Sequence, residues 1–128
     1  LLRKADIVSV HVPSAPETKG MINAEFLSDM KPGAVLINTS RGDVVEESAL
    51  LSAMDEKGIR AGLDVYADEP AVSEGEFSSA LASHPNTCGT HHIGASTEQA
   101  QSAVSEGVLQ IINTFSEGKI LHCVNDQA

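Results

Sequence analysis

The chain has 128 residues, with 8 Lys and Arg against 18 Asp and Glu and a formal net charge of −10, which excludes a nucleic-acid binder driven by its overall charge. Apolar residues make up 41% and charged residues 20%, a globular balance that argues against disorder. Aromatics are 3%, with no Trp, so a base-stacking or paratope-like surface would lack its usual side chains. No apolar run approaches the ~18 residues of a membrane helix, and Leu1-Leu2-Arg3-Lys4 lacks the order of a signal peptide. The two cysteines, Cys88 and Cys123, suit a reducing, cytoplasmic setting in which free Cys behaves as a small hydrophobe. The chain does not begin with Met and opens on what reads as the end of a helix, so we expect a piece of a longer protein.

Asp6 to Val12 is short, rich in β-branched residues and closed by Pro13, which suits a strand buried on both faces. Asn23 to Met30 reads as a short helix, capped by Asn23, with Phe26, Leu27 and Met30 at helical spacing and Pro32-Gly33 as a stop. Ala34 to Thr39 repeats the buried-strand signature and opens into the polar run Asn38 to Gly42. Glu46 to Lys57 puts Ala49, Leu50, Ala53 and Met54 on one helical face, with Gly58 placed to end it. Ile59 to Val65 is a third strand, followed by an irregular stretch from Glu69-Pro70 to about Pro85, and Asn86 to Thr90 is a shorter fourth strand. The strongest helix runs from Thr97 to Ser116, with Ser96 and Gln99 as a capping box, and Gly118 ends it. The tail from Ile120 to Val124 is apolar enough to pack on something.

Alternating strands and helices predict a parallel α/β sheet, in which ligands bind at the C-terminal ends of the strands. The polar residues fall there: His11 after the first strand, Asn38 to Arg41 after the second, Asp64 to Glu69 after the third, and His91-His92 after the fourth. Arg41 can clamp a carboxylate through two parallel hydrogen bonds, or it is a solvated surface Arg. His92 can exchange a proton near neutral pH, or it is a satisfied structural His. The positive end of the helix that follows favours the neutral imidazole, so a carboxylate partner is needed to hold His92 protonated, and Glu69 is the candidate. Asp64 either caps its loop or accepts a hydrogen bond from a ligand amide or hydroxyl. The His and Cys residues show no metal-ligand spacing, no Ser sits in a Gly-x-Ser-x-Gly elbow, and no Gly-x-Gly-x-x-Gly phosphate loop is present. If a dinucleotide binds, residues outside this chain hold its pyrophosphate.

The pieces ADIVSVHVP, MKPGAVLINTSRGDVVEESAL, AGLDVYADEP and HHIGASTEQAQ, in this order and with the tail LHCVN, resemble the D-isomer-specific 2-hydroxyacid dehydrogenases. The resemblance implies the second half of a Rossmann-type NAD-binding domain over residues 1–97. A long crossing helix and a return segment over 98–128 would lead toward a substrate domain that is mostly absent. It implies hydride transfer between NAD and C2 of a small 2-hydroxy or 2-oxo acid; a homo-oligomer is expected, and charge, apolar runs and residue spacing predict no nucleic-acid, membrane or metal partner. Arg41 matches the residue that binds the substrate carboxylate, His92 the acid/base, and Glu69 the carboxylate that orients it. Asp64 matches the residue that holds the nicotinamide carboxamide. Thr39, Ser40, Arg41, His92 and Gly94 match positions around the nicotinamide, and His11, Val12 and Pro13 the wall near the adenine side.

Within the family, Ile93 to Thr97 resembles the branch that acts on a phosphorylated acid more than the lactate, formate or glyoxylate enzymes or the NADH-sensing corepressors. The low count of cations leaves the phosphate to residues upstream. His91 stands where the family usually has Pro, which leaves the loop freer and sets a second imidazole beside His92. A half sheet also exposes an apolar strand edge, so the chain by itself is expected to self-associate and to be inactive.

Overall fold

The computed structural model of the protein describes residues 1–70 and 77–125. The expected irregular stretch between Glu69 and Pro85 therefore lies partly outside the described residues. The chain forms two compact units, Leu1–His92 and Ile93–Ala128.

In the first unit the apolar runs become four strands, β1 (Ile7–Val10), β2 (Val35–Asn38), β3 (Arg60–Leu63) and β4 (Thr87–Gly89). They pair in parallel in the order β1-β2-β3-β4. The register sets Val10 beside Asn38, and Asn38 beside Leu63, so their C-terminal ends form one edge. Helix α1 (Ala24–Asp29) starts at Asn23, whose side chain accepts from the Phe26 N–H at 3.0 Å, a cap that contributes about 1 kcal/mol. Helix α2 (Glu47–Lys57) ends at Gly58 in the left-handed conformation with φ 66°, which only glycine adopts without a Cβ penalty. A single 3-10 turn (Gly42–Val44) links β2 to α2.

The core joins Leu27 and Met30 of the α1 region and Leu50 and Met54 of α2 to Val10, Leu36, Ala61 and Leu63 of the sheet. The strands are not buried on both faces. Leu36 and Leu63 face the helices and are buried, whereas their neighbours Val35, Ile37 and Gly62 are only half-buried and Ile7 is exposed. The side chains alternate across the sheet, and α1 and α2 pack on only one of its faces. On the other face a groove of about 390 Å³ is lined by Val35, Ile37, Arg60, Gly62 and Cys88, among others, and it extends to Pro85 and Asn86 at the N-terminal ends of β3 and β4.

In the second unit, α3 (Glu98–Ser116) is one residue shorter than expected, and its cap is different. The Thr97 hydroxyl accepts from the Ala100 N–H at 3.2 Å, so Thr97 is the N-cap and the capping box proposed for Ser96 and Gln99 is not formed. Either hydroxyl residue suits the position by type, and the turn Ser96 N–H to Ile93 carbonyl places Ser96 one step before it. Val104, Val108, Ile111, Ile112 and Phe115 form the expected stripe and are all exposed. Ile120 and Val124 of the tail are exposed too, and so are both cysteines, which are free thiols rather than small core hydrophobes. No helix among the described residues is long and apolar enough to cross a membrane.

Candidate active site

Each strand delivers its polar residues to the same edge. After β3, Asp64 is 5% exposed and is gripped through both backbone and side chain. Its N–H donates to the Asn38 carbonyl at 3.0 Å, and its own carbonyl accepts the His92 N–H at 2.8 Å. The Thr90 hydroxyl donates to its carboxylate at 2.5 Å. The Thr90 N–H meanwhile donates to the Leu63 carbonyl at 2.9 Å. These bonds extend the β3–β4 ladder beyond Gly89 as far as His92.

His92 lies at φ 60°, in the left-handed region that a non-glycine residue seldom adopts, and its N–H bond to Asp64 helps to hold it there. Its Nδ1 is 2.7 Å from Glu69 Oε1. A carboxylate accepts only, so Nδ1 carries the hydrogen and Nε2 is left for another partner. The backbone bond and the carboxylate together set the ring.

Arg41 leaves its loop in an extended conformation, and its exposed guanidinium donates to the Ser40 carbonyl at 2.6 Å. The next residue must be Gly: a Cβ on Gly42 would stand 2.1 Å from the carbonyl carbon and oxygen of Tyr66. The Arg41 loop therefore lies directly on the backbone of the loop that carries Glu69. Glu47, in the first turn of α2, ties the same place by accepting the Ala67 N–H at 3.0 Å. Tyr66 is buried beneath, its ring centroid 5.1 Å from that of Phe77. Burial, with the nearby negative charges of Glu47, Asp64 and Cys88 adding to it, pushes its phenol above the ordinary value.

Glu69 and His92 are thus in contact, and Asp64 is bonded to the turn that carries His92. Arg41 stands on the adjoining loop. Thr39 is exposed beside it, and Ser40 is tied to Asn38. His11, Val12 and Pro13 follow β1 at the far side of the edge. His11 pairs with Ser9 at 2.8 Å, Val12 packs on the core, and the Pro13 carbonyl accepts the Thr18 hydroxyl at 2.6 Å. Gly94 belongs to the second unit. Reading the sequence did not single out Thr90 or Glu47, which act on residues 20 or more positions away and leave no local signal. Among the described residues no three His, Cys, Asp or Glu side chains gather as metal ligands.

A parallel α/β sheet with an imidazole, its carboxylate and a guanidinium on adjoining loops at the C-terminal edge carries its polar groups where such sheets bind ligands. Residues 1–94 match the NAD binding domain of the D-isomer specific 2-hydroxyacid dehydrogenases, and the chain belongs to this family. It is 42% identical over 127 residues to D-3-phosphoglycerate dehydrogenase of Escherichia coli K12, covering 98% of this chain and 31% of that protein. It is 43% identical over 135 residues to D-3-phosphoglycerate dehydrogenase 1 of Saccharomyces cerevisiae, covering 98% of this chain and 29% of that one. The NAD complexed form of a D-isomer specific 2-hydroxyacid dehydrogenase from Lactobacillus delbrueckii ssp. bulgaricus superposes with a TM-score of 0.84 at 32% identity, over 94% of this chain and 40% of that one. The chain spans about a third of the length of the curated relatives it matches.

Proposed function

We propose that the protein carrying this chain interconverts a D-2-hydroxy acid and its 2-oxo acid with NAD. Its substrate pair is 3-phosphoglycerate and 3-phosphohydroxypyruvate, in cytoplasmic serine biosynthesis. The observation that carries this reading is the 2.7 Å contact between His92 Nδ1 and Glu69, on the turn bonded to the buried Asp64. The high identity to two phosphoglycerate dehydrogenases supports the substrate.

The residues present fit one half of the dinucleotide. A buried carboxylate at the strand edge suits the carboxamide of a nicotinamide, with Thr39 and Ser40 on the adjoining loop, and His11, Val12 and Pro13 would form the wall near the adenine side. The chain has no Gly-x-Gly-x-x-Gly turn for the pyrophosphate. When bound, NAD supplies the hydride acceptor at its nicotinamide ring.

The chain's own residues supply the clamp and the proton. Arg41 binds the substrate carboxylate through its two parallel donors and directs its C2 oxygen toward His92. Nε2 of His92 takes the hydroxyl proton in oxidation and returns it in reduction. Glu69 keeps Nδ1 protonated throughout, so the same nitrogen always faces the substrate. Residues 98–128 serve as the connecting helix and return segment toward the substrate domain, in a homo-oligomer, and the chain alone is inactive.

In the complete enzyme, Arg41→Ala is expected nearly to abolish turnover of 3-phosphoglycerate. Glu69→Gln should lower kcat by about 10²- to 10⁴-fold, the range of a lost general acid/base contribution, while NADH affinity holds. Unaltered turnover in Arg41→Ala rejects the assignment.

A further inference from the structure

Asn38 is the last residue of β2, and it is 1% exposed. A buried amide costs free energy unless both of its ends are paired, and here a single short loop pairs them. Oδ1 accepts the Ser40 N–H at 3.0 Å and the Ser40 hydroxyl at 2.8 Å, while Nδ2 donates to the Arg41 carbonyl at 2.8 Å. The peptide groups entering Ser40 and leaving Arg41 are therefore both fastened to one side chain. That side chain is anchored in the sheet, where β2 is paired on both sides.

The consequence falls on Arg41. Its backbone is extended, at φ −143° and ψ 143°, and the direction of its Cα–Cβ bond follows from the peptide planes on either side. Its guanidinium then folds onto the Ser40 carbonyl, in the same fastened loop. The Gly42 contact with Tyr66 limits the loop from the other side, but it offers no hydrogen bond to Ser40 or Arg41. A carboxylate at position 38 would still accept from Ser40, yet it would oppose the Arg41 carbonyl with oxygen against oxygen. An aliphatic residue would leave all three bonds unmade.

We propose that Asn38 is the positioning residue for Arg41: its buried amide sets the direction in which the guanidinium leaves the loop, and with it the affinity for the substrate carboxylate. This rests on the reading of Arg41 as the carboxylate clamp.

The test is steady-state kinetics of the complete enzyme with 3-phosphohydroxypyruvate at saturating NADH for Asn38→Asp, and, for the parent, Arg41→Ala and the double variant, the Kd of the oxo acid for the NADH-bound enzyme by equilibrium titration. Asn38→Ser, smaller and uncharged, is measured beside them so that poor folding of one variant leaves the other to decide. Asn38→Asp and Asn38→Ser should raise KM for the oxo acid about tenfold, with the Kd for NADH within twofold of the parent. In the Arg41→Ala background Asn38→Asp should add nothing to the Kd of the oxo acid. A purely structural role would instead lower kcat through the active fraction, leave KM in place and persist in the double variant, and that result overturns the proposal. If Arg41→Ala leaves the Kd of the oxo acid unmoved, the clamp reading fails and the proposal with it. If Arg41→Ala raises that Kd and neither Asn38 variant raises KM, only the positioning role is overturned.

Discussion

Tyr66 is the one tyrosine of the chain, which also has no Trp, so its ionisation can be followed without interference. Burial raises the phenol above its ordinary value of 10.0, and the negative charges of Glu47, Asp64 and Cys88 push the same way. The folded state therefore holds this proton more tightly than the unfolded state. The resulting stability is fully present below pH 10 and is lost as pH rises through the folded value. The phenolate absorbance of the native chain should have its midpoint above 10, falling back to about 10 in denaturant, and a native midpoint at or below 10 contradicts the burial argument. The neighbouring site residues differ in how far sequence announced them. Arg41, Glu69 and His92 stood out as charged groups just past apolar runs. Asn38 was visible only as part of a polar run, and Thr90 not at all, because the role of each is a hydrogen bond whose partner is chosen by folding.

The loop after β2 shows how elements position those residues. Asn38 holds its first half, and the Ile22 N–H and carbonyl pair with Val44 and Glu46 beyond it. Gly42 rests against the Tyr66 peptide group between these anchors. Gly42→Ala needs a backbone shift rather than a rotamer change, since the opposing atoms are main chain. It should destabilise the fold by about 3 kcal/mol, read from urea midpoints, in line with overpacking costs. Gly42→Ala within experimental error of the parent would show that the two loops are not in contact. Helix and strand identities followed from periodicity, whereas their ends did not. The strands stop where ladder pairing stops rather than where apolar residues stop, and α3 begins at Glu98, capped by Thr97 rather than Ser96, because only one of two adjacent hydroxyls reaches a free N–H.

At the scale of the molecule, the sheet carries helices α1 and α2 on one face and leaves an apolar groove on the other, with Ile7 exposed on the edge strand β1. An unpaired parallel edge beside exposed aliphatic side chains is a template for association. The chain by itself should therefore run above its 13.4 kDa monomer mass in light scattering. A clean monomer at micromolar concentration rejects this. The sequence alone was enough to establish the parallel α/β class, the order of the elements and the edge at which polar residues collect. Apolar spacing, Gly, Pro and capping residues act over a few positions, and parallel pairing then sends every strand end to one side. Only the tertiary structure decided which of those polar groups meet. Glu69 reaches His92 across 23 positions, Thr90 reaches Asp64 across 26, and Gly42 lies against Tyr66. Such contacts depend on register and on the packing of loops against one another, which no local pattern of residues records.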